Sequence, residues 1–230
     1  MGGFWTTRAA RLAHVVCYTS PDSYVAAMRN ARTMPIGIDT ELFRPVANRP
    51  RGGTILMLGR MDRVKNPDLL VRGLLELTDA GKVFHADLVG DPTNKDSSYA
   101  REVKQLAEPL VEQGRVSFLP SVRNAETPAL YAAHSLFVNL TPSGSFDKTI
   151  GEAMACGTLV VCANMAVAEI VPPRLLVDDL SADRVQETIE AALALPDADY
   201  HALTRRMRAF IEEKHSLRLL TKKLVEVLHH

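Results

Sequence analysis

The sequence has little cysteine, and the spacing of its cysteines limits the sites that they can form. Cys17, Cys156 and Cys162 are the only three among 230 residues, and no Cys-x-x-Cys pair occurs. An odd and scattered set of this kind argues against a disulfide framework and against a structural zinc site. We therefore expect a protein of the reducing cytoplasm that holds no metal ion.

An excess of charge of either sign and long apolar runs are also absent. Lysine and arginine number 27, aspartate and glutamate also number 27, and the formal net charge is zero. This balance gives no support for nucleic-acid binding, which normally needs a basic surface. No apolar run approaches the roughly 20 residues that span a bilayer. The first residues also lack the apolar core of a signal peptide, so we expect neither a leader nor a transmembrane segment.

Several common motifs of nucleotide-binding proteins and hydrolases are missing. No Gly-x-Gly-x-x-Gly follows a predicted strand, and the phosphate-binding loop of P-loop proteins does not occur. Gly-x-Ser-x-Gly is absent as well, which argues against a hydrolase nucleophile elbow. Asp197 and Asp199 form an Asp-x-Asp pair, but they directly follow Pro196, where acidic residues usually cap a helix. We therefore predict no metal at this pair.

The chain does contain a regular alternation of apolar strands and amphipathic helices. Predicted strands cover residues 54–58, 83–89, 116–119, 135–140, 158–163 and 175–177. Predicted helices start at Asn66-Pro67 and cover residues 98–113, 127–133, the segment around Glu152, 166–171 and 181–195. Apolar strands that alternate with helices are typical of a parallel sheet covered on both faces. The predicted fold is therefore α/β, a Rossmann-like parallel sheet with helices on both faces.

Both ends of the chain depart from this alternation. Residues 13–18 predict a strand and Ser20-Pro21-Asp22 predicts the start of a helix, but these elements have no core of their own. Prolines and a glycine within residues 34–45 indicate a connecting segment. After Pro196 the pattern is purely helical and basic. This tail predicts a solvated helix face, with contact to anionic lipid as the alternative.

The loops after the strands predict where a ligand binds. Ligands of parallel sheets bind beyond the carboxyl ends of the strands, which singles out residues 59–66, 120–124 and 141–148. The first of these loops carries Arg60 and Lys65 directly after Gly59. The two cations can converge on phosphate oxygens, Arg60 as a fork and Lys65 as a point charge. The alternative is that both are solvated surface charges.

Residues 142–157 form the second half of the predicted site. A turn of small residues leads into a helix, whose N-terminal N–H groups and dipole favour an anion. Asp147 either caps this helix or binds ligand hydroxyls together with Ser145, and Lys148 and Thr149 complete the predicted binding residues at the helix start. Glu152 either accepts hydrogen bonds from ribose hydroxyls or is an acid favoured by the helix dipole.

Three motifs together resemble a known family. They are residues 36–45 (IGIDTELFRP), 58–67 (LGRMDRVKNP) and 151–161 (GEAMACGTLVV), in this order and at this spacing. They are similar to the GT-B glycosyltransferases of family 4, which are retaining enzymes that use nucleotide-sugar donors. The resemblance extends over residues 8 to 228 and matches the C-terminal, donor-binding half of such enzymes. It implies that the anion at the helix start is the diphosphate of a nucleotide sugar, linked to UDP or GDP.

The resemblance also implies roles for individual residues. Arg60 and Lys65 match the cations that hold the donor diphosphate. Glu152 matches the second glutamate of the family's E-x7-E motif, which binds the ribose. Val122 and its neighbours match the loop whose backbone contacts the base. No cofactor beyond the donor substrate is implied.

The chain departs from the family pattern inside this motif. The first glutamate of the motif, which the resemblance implies would contact the donor sugar, would fall at position 144, which is Gly144. Some family members resemble this chain in a Ser-Phe/Leu-Asp-Lys variant, in which Asp147 can substitute for the missing carboxylate. Gly151 stands where a bulky apolar residue is usual.

A second departure concerns the N-terminal domain, which supplies the acceptor site in GT-B enzymes. The predicted division is a remnant of that domain with the connecting segment at 1–48, a nucleotide-sugar-binding domain at 49–196, and closing helices at 197–230. We therefore expect an enzyme half that binds a nucleotide-sugar donor and transfers little sugar alone, with a glycan or lipid-linked glycan as acceptor. It would lie in the cytoplasm, with peripheral contact at the inner face of the membrane as a further expectation. The alternative is a non-catalytic nucleotide-binding or interaction module.

Overall fold

A parallel sheet forms the centre of the protein, whose computed structural model describes residues 4–20, 23–47, 51–93, 98–142 and 145–229. The larger sheet has five strands in the order β5-β4-β3-β6-β7, all parallel, and a separate pair joins β1 to β2. The prediction of a Rossmann-like α/β fold is confirmed. The strands are β1 Val16–Tyr18, β2 Ala31–Thr33, β3 Thr54–Leu58, β4 His85–Val89, β5 Val116–Leu119, β6 Leu136–Asn139 and β7 Leu159–Cys162.

The helices pack in two groups around the sheet. One group joins α2 to α3 and α7, and the other joins α6 to α5 and α8. The helices of the described residues are α1 Phe4–Leu12, α2 Pro67–Asp79, α3 Ser98–Leu106, α4 Glu108–Glu112, α5 Thr127–Ala133, α6 Lys148–Ala155, α7 Ala182–Leu193, α8 Asp197–Lys214 and α9 Leu217–Leu228.

Strands that the sequence predicts from apolar runs form where predicted, with one exception. Every residue of β6 and β7 is buried, as expected for strands covered on both faces. The predicted strand at 175–177 is wrong: this segment makes only a single bridge, between Leu176 and Cys162. A 3-10 turn at Pro173–Leu175 leads into it, and the N–H groups of Leu175 and Leu176 donate to the carbonyls of Pro172 and Pro173 at 2.8 and 3.1 Å, so they are not available to a sheet ladder.

Two predicted helices differ in form. The helix predicted over 98–113 is divided into α3 and α4, and α4 begins with Pro109 in its first turn. A proline cannot donate the hydrogen bond that would continue a single helix. The helix predicted over 166–171 is a 3-10 turn, Met165–Val167, which Asn164 caps by accepting from the N–H of Ala166.

The N-terminal segment contains two elements that the sequence did not predict, α1 and β2. The short strand β1 lies within the predicted range 13–18 and pairs with β2 in parallel register. A three-residue strand offers too few positions for a periodic pattern, which is why β2 escaped prediction. The helix predicted from Ser20 falls partly outside the described residues, at Pro21 and Asp22. Residues 23–30 form successive turns rather than a regular helix.

The connecting segment joins the sheet domain to the C-terminal helices. The N–H groups of Gly37 and Ile38 donate to the carbonyl of His215 at 3.1 and 2.9 Å, and the N–H of Leu217 donates to the carbonyl of Ile38 at 2.7 Å. The connecting segment and α8 share one hydrophobic core with the sheet, whereas α9 contributes no buried residue to it. The predicted domain boundaries after residues 48 and 196 remain predictions.

Gly151 in α6 allows the connecting segment to approach this closely. A side-chain Cβ at Gly151 would lie 2.6 Å from Cδ1 of Ile36 and 3.0 Å from Cγ1 of Ile38. These two isoleucines therefore occupy the space of the bulky residue that the family pattern leads one to expect. Among the described helices, none has both the length and the apolar composition needed to cross a membrane.

Candidate functional site

The loop after β3 begins where two backbones nearly touch. A Cβ at Gly90, which follows β4, would lie 1.9 Å from the carbonyl oxygen of Gly59, so only glycine fits. Gly90 also has a φ of 144°, in the region that favours glycine. The close approach fixes the path of the 59–66 loop at the carboxyl edge of the sheet, where the sequence predicts the ligand site.

The far end of this loop is tied to the neighbouring strand. Asn66 lies in the left-handed conformation (φ 51°) before Pro67, which occupies the first turn of α2 as predicted. Asparagine before a proline is a typical cap in sequence, but the side chain of Asn66 makes no capping hydrogen bond to α2. Instead, Nδ2 of Asn66 donates to the carbonyl of Leu140 at 2.8 Å. The loops that follow β3 and β6 are therefore held side by side.

Arg60 projects toward solvent from this loop. Its side chain is 64% exposed, and Nε lies 3.2 Å from Oδ2 of Asp62. The other oxygen of Asp62 accepts a hydrogen bond from the backbone N–H of Lys65 at 3.2 Å. Asp62 thus braces the loop between the two predicted phosphate-binding cations. An exposed guanidinium of this kind can turn from Asp62 to a ligand at little energetic cost.

Lys65 and Asp147 join the two halves of the predicted site. Nζ of Lys65 donates to Oδ2 of Asp147 in an ion pair across the 59–66 and 141–148 loops. The two side chains are only 17% and 16% exposed. The pair lies at the N-terminus of α6, where Asp147 occupies the capping position. The structure therefore brings Lys65 together with the start of α6.

Asp147 is surrounded by hydrogen-bond donors. Oδ1 accepts from the backbone N–H of Thr149 at 3.1 Å and from its hydroxyl at 2.9 Å. Oδ2 accepts from Nδ2 of Asn139 at 3.1 Å in addition to Lys65. Burial raises the pKa of the Asp147 carboxyl, but the hydrogen bond and charge of Lys65, with Asn139 and Thr149, more than offset this. They hold that pKa below its ordinary value, so Asp147 is ionised at neutral pH.

Glu152 lies in the middle of α6 and is 7% exposed. The hydroxyl of Tyr131 donates to Oε2 at 3.1 Å, and Nδ2 of Asn124 donates to Oε1 at 3.2 Å. Burial raises the pKa of Glu152 above its ordinary value, and the two hydrogen bonds oppose part of that shift. Burial also raises the pKa of Tyr131, and the Glu152 carboxylate adds to it. Tyr131 therefore remains a protonated donor, and each Glu152 oxygen retains acceptor capacity.

The remaining predicted residues lie around these two carboxylates. Val122 is half-buried and packs against the core. Ser145 is exposed, and its backbone carbonyl accepts from Nδ2 of the buried Asn164 at 2.8 Å. Lys148 is exposed, and its charge acts on Glu152. Gly144, where the family carboxylate would stand, lies outside the described residues.

Four asparagine and tyrosine side chains of the site escaped prediction: Asn66, Asn124, Tyr131 and Asn139. Asn139 offered a usable signal, because it is a buried amide that ends an otherwise apolar strand. A buried amide needs hydrogen-bond partners, and at a strand's carboxyl end these lie near the ligand site. Asn66 and Asn124 lie in loops that the sequence singles out, but the partners of Asn66, Asn124 and Tyr131 are distant in sequence and could not be predicted.

Metal-ligand clusters do not occur among the described residues: no group of three His, Cys, Asp or Glu side chains is arranged to hold an ion. Asp197, the first member of the Asp-x-Asp pair, begins α8 and accepts from Nε of Arg51 at 2.9 Å. This is the helix-start position that the sequence predicted.

Comparison with known proteins matches the part of the chain that contains the candidate site. A family model described as glycosyl transferases group 1 matches residues 52–197. D-inositol 3-phosphate glycosyltransferase of Segniliparus rotundus is 30% identical over 188 residues, covering 76% of this chain and 41% of the relative. The protein of that name from Acidothermus cellulolyticus is 31% identical over 157 residues, covering 63% of this chain and 35% of the relative. The chain thus spans less than half of the length of these relatives.

Solved structures agree in fold. Sucrose-phosphate synthase from Thermosynechococcus elongatus has a TM-score of 0.83 at 23% identity, covering 98% of this chain and 60% of that chain. HepE of Anabaena, in complex with UDP and glucose, has a TM-score of 0.81 at 21% identity, covering 97% of this chain and 65% of HepE. The C-terminal domain of LpcC from Francisella tularensis gives 0.66 at 19% identity, covering 79% of this chain and 100% of that domain.

These matches confirm the resemblance that the three sequence motifs indicated. The family match extends over both loops of the candidate site and over Glu152. The chain belongs to the glycosyl transferases group 1 family.

Proposed function

We propose that this chain is the donor-binding portion of a retaining glycosyltransferase and binds the nucleoside diphosphate of a nucleotide sugar. The observation that carries the proposal is the meeting of Lys65 with the N-terminus of α6 at the carboxyl edge of the sheet. A cation and the N–H groups of a helix start there face the same space, which suits a diphosphate.

The diphosphate would lie between the 59–66 loop and α6. Lys65 has three protons and donates one to Asp147, which leaves two for phosphate oxygens. Arg60 is exposed beside it and can add a bidentate contact. When the sugar is transferred, the leaving diphosphate gains charge, and fixed cations stabilise that charge most effectively. The proposed chemistry therefore uses no cofactor besides the donor substrate.

Glu152 would bind the ribose of the donor. A ribose diol offers two hydroxyl donors, and the carboxylate of Glu152 has two oxygens that each accept one hydrogen bond from the protein. Tyr131 and Asn124 thus fix the orientation of the carboxylate without filling its acceptor capacity. Asn124 belongs to the segment that follows β5, next to Val122, where the base would lie.

The donor that we propose to test first is linked to UDP, with GDP as the alternative. HepE, which shares the fold, was solved in complex with UDP and glucose. Family membership does not favour the alternative of a non-catalytic interaction module.

The acceptor side would come from an N-terminal domain, as in full-length GT-B enzymes. The stripe formed by Leu217, Leu224 and Leu228 on α9 is exposed in this chain and supports such a partner. Covering a stripe of this kind with an apolar surface is favourable. The acceptor would be a glycan or a lipid-linked glycan in the cytoplasm, and Arg218 and Lys222 beside the stripe would suit peripheral contact with anionic lipid.

Thermal unfolding with a panel of ligands tests the donor proposal. UDP, GDP and ADP are compared with UMP and inorganic phosphate, because a ligand that binds only the folded state raises the melting temperature. We expect a nucleoside diphosphate to raise it more than UMP or phosphate does. Equal or absent shifts for all five compounds would contradict the proposal.

A further inference from the structure

We infer that Asp147 positions the ammonium group of Lys65 for the donor diphosphate and does not itself bind the donor sugar. The inference rests on the proposed function and assigns Asp147 a different role from the sugar contact that the family motif suggests. It also gives a physical purpose to the Asp-Lys variant of the motif, in which Gly144 replaces the usual carboxylate.

The acceptor capacity of Asp147 is already used. A carboxylate has about four lone-pair sites. Thr149 occupies Oδ1 with its N–H and its hydroxyl, at 3.1 and 2.9 Å. Asn139 and Lys65 occupy Oδ2. A sugar hydroxyl therefore finds no free acceptor site on Asp147 unless one of these contacts breaks.

The position of Asp147 is itself fixed by Asn139, the last residue of β6. Asn139 is 3% exposed, and its Nδ2 also donates to the hydroxyl of Thr149 at 3.1 Å. Oδ1 of Asn139 accepts from the N–H of Thr141 at 3.0 Å. A buried amide at the end of β6 thus holds the carboxylate in one orientation.

Lys65 is restrained along its whole length. Its stem lies over Gly59, where a Cβ would come 3.3 Å from Cε and 3.5 Å from Cδ. Its ammonium group is held by Asp147. A lysine side chain is flexible and loses much rotamer freedom when it binds a ligand. Gly59 and Asp147 order the Lys65 side chain before the ligand binds. Binding therefore costs less conformational entropy of that side chain.

Removal of Asp147 separates three explanations, because each predicts a different pair of changes in the affinities for UDP and UDP-glucose. If only net charge mattered, loss of a carboxylate beside an anion site would strengthen diphosphate binding. If Asp147 bound the sugar, its loss would weaken UDP-glucose but leave UDP unchanged. If Asp147 positions Lys65, its loss weakens UDP and UDP-glucose by the same factor.

The experiment measures the Kd of UDP and of UDP-glucose for the 230-residue chain and four variants. Asp147→Ser retains a helix cap but lacks the carboxylate. Lys65→Met and the double variant test whether Asp147 acts through Lys65. Asp197→Ser is the matched control, because it also removes a helix-start aspartate that pairs with an arginine, at the opposite edge of the sheet.

We expect Asp147→Ser to weaken both ligands about tenfold, the order expected when a charge-assisted contact is lost. We expect no further loss when Asp147→Ser is added to Lys65→Met, and no change for Asp197→Ser. Tighter UDP binding, a loss confined to UDP-glucose, or a full tenfold loss in the Lys65→Met background would each overturn the inference and leave the proposed function standing. If the unsubstituted chain bound neither ligand, both would fail.

Discussion

The buried carboxylate of Glu152 should lower folding stability and favour ligand binding. Its carboxylate is buried, and burial raises its pKa, which means that the folded state carries the charge at a cost in stability. The contribution is least favourable above the folded-state pKa and improves as the pH falls through it. Under the proposed function the carboxylate is retained for the ligand, so function and stability should separate at Glu152.

Glu152→Gln should therefore stabilise the folded chain and weaken UDP binding. We expect a gain of about 1 kcal/mol in the free energy of unfolding, because a buried charge is replaced by a neutral amide. UDP affinity should fall about tenfold, since one acceptor for the ribose diol is lost. Urea unfolding and UDP titration measure the two effects.

The exposed Glu213, in helix α8 away from the candidate site, supplies the matched control, and Glu213→Gln should change neither quantity appreciably. Pyrophosphate, which lacks a ribose, should bind the Glu152→Gln variant as well as the parent. A destabilised variant with unchanged UDP affinity would show that Glu152 is structural.

His215 predicts a pH dependence of stability. Burial lowers its pKa to about 4; Glu169 opposes that shift, and Lys214 and Lys223 add to it. Its ring lies 4.9 Å from the ring of Phe146 and 5.0 Å from that of Phe210, by centroids. Nδ1 is buried and has no hydrogen-bond partner among the residues that the structure describes.

The unfolded chain takes up a proton at His215 near pH 6.5 and the folded chain only near 4, so this contribution to stability falls as the pH drops between those values. His215→Leu cannot titrate and should show a shallower loss between pH 7 and 5 in urea unfolding. The exposed His14→Leu is the control and should retain the slope of the parent. An unchanged slope in His215→Leu would contradict the assignment.

Among the elements, the two loops of the site are held by contacts that connect strand ends. Gly90 permits the approach of β4 to the start of the 59–66 loop, and Asn66 ties the end of that loop to Leu140. The positions of Arg60 and Lys65 thus depend on backbone geometry outside the loop itself.

Gly90→Ala should displace this loop. We expect a loss of about 2–3 kcal/mol in the free energy of unfolding, since the added Cβ meets a backbone oxygen that cannot move aside. UDP affinity should fall in parallel. Gly114→Ala is the matched control, because Gly114 has a φ of 66° but no atom within 4 Å of an added Cβ.

The Gly114→Ala control should lose only about 1 kcal/mol in the free energy of unfolding, because of backbone strain, and should bind UDP as the parent does. If both variants lost the same stability and bound UDP equally well, the close approach of Gly90 to Gly59 would not position the site.

The sequence was sufficient for the sheet because its strands are continuous apolar runs separated by helices, as in β3, β6 and β7. It failed at 175–177, where three apolar residues look like a strand in sequence, because the N–H groups of Leu175 and Leu176 donate within the turn that begins at Pro172 and Pro173. The contact of Lys65 with Asp147 could not be predicted from spacing. It joins residues 82 positions apart, and whether two such side chains meet depends on loop geometry and rotamers.

At the scale of the whole molecule, the chain spans only part of the length of its relatives. It covers 41% and 35% of the length of two D-inositol 3-phosphate glycosyltransferases. Its fold resembles 60% of sucrose-phosphate synthase and the whole of the LpcC C-terminal domain. Under the proposed function, the two loops of the candidate site bind the donor, and an acceptor surface would face them from another domain.

We therefore expect the 230-residue chain to bind donor but to transfer little sugar. Catalysis depends on holding donor and acceptor in one geometry, and that contribution is lost without an acceptor site. An assay of glycosyl transfer and of UDP-glucose hydrolysis should give little turnover under conditions where UDP binding is saturated. Robust turnover by the chain alone would refute this expectation.

Titration calorimetry with UDP tests the central claim most directly, because it measures diphosphate binding without requiring turnover. The chain should bind UDP at one site. Arg60→Ala and Lys65→Ala should each weaken that binding by about 1–3 kcal/mol, the range for charge-assisted hydrogen bonds. The Asp197→Ser control should bind as the parent does. Equal affinity in the parent and in both cation variants, or no saturable binding of UDP, GDP or ADP to the parent, would contradict the account.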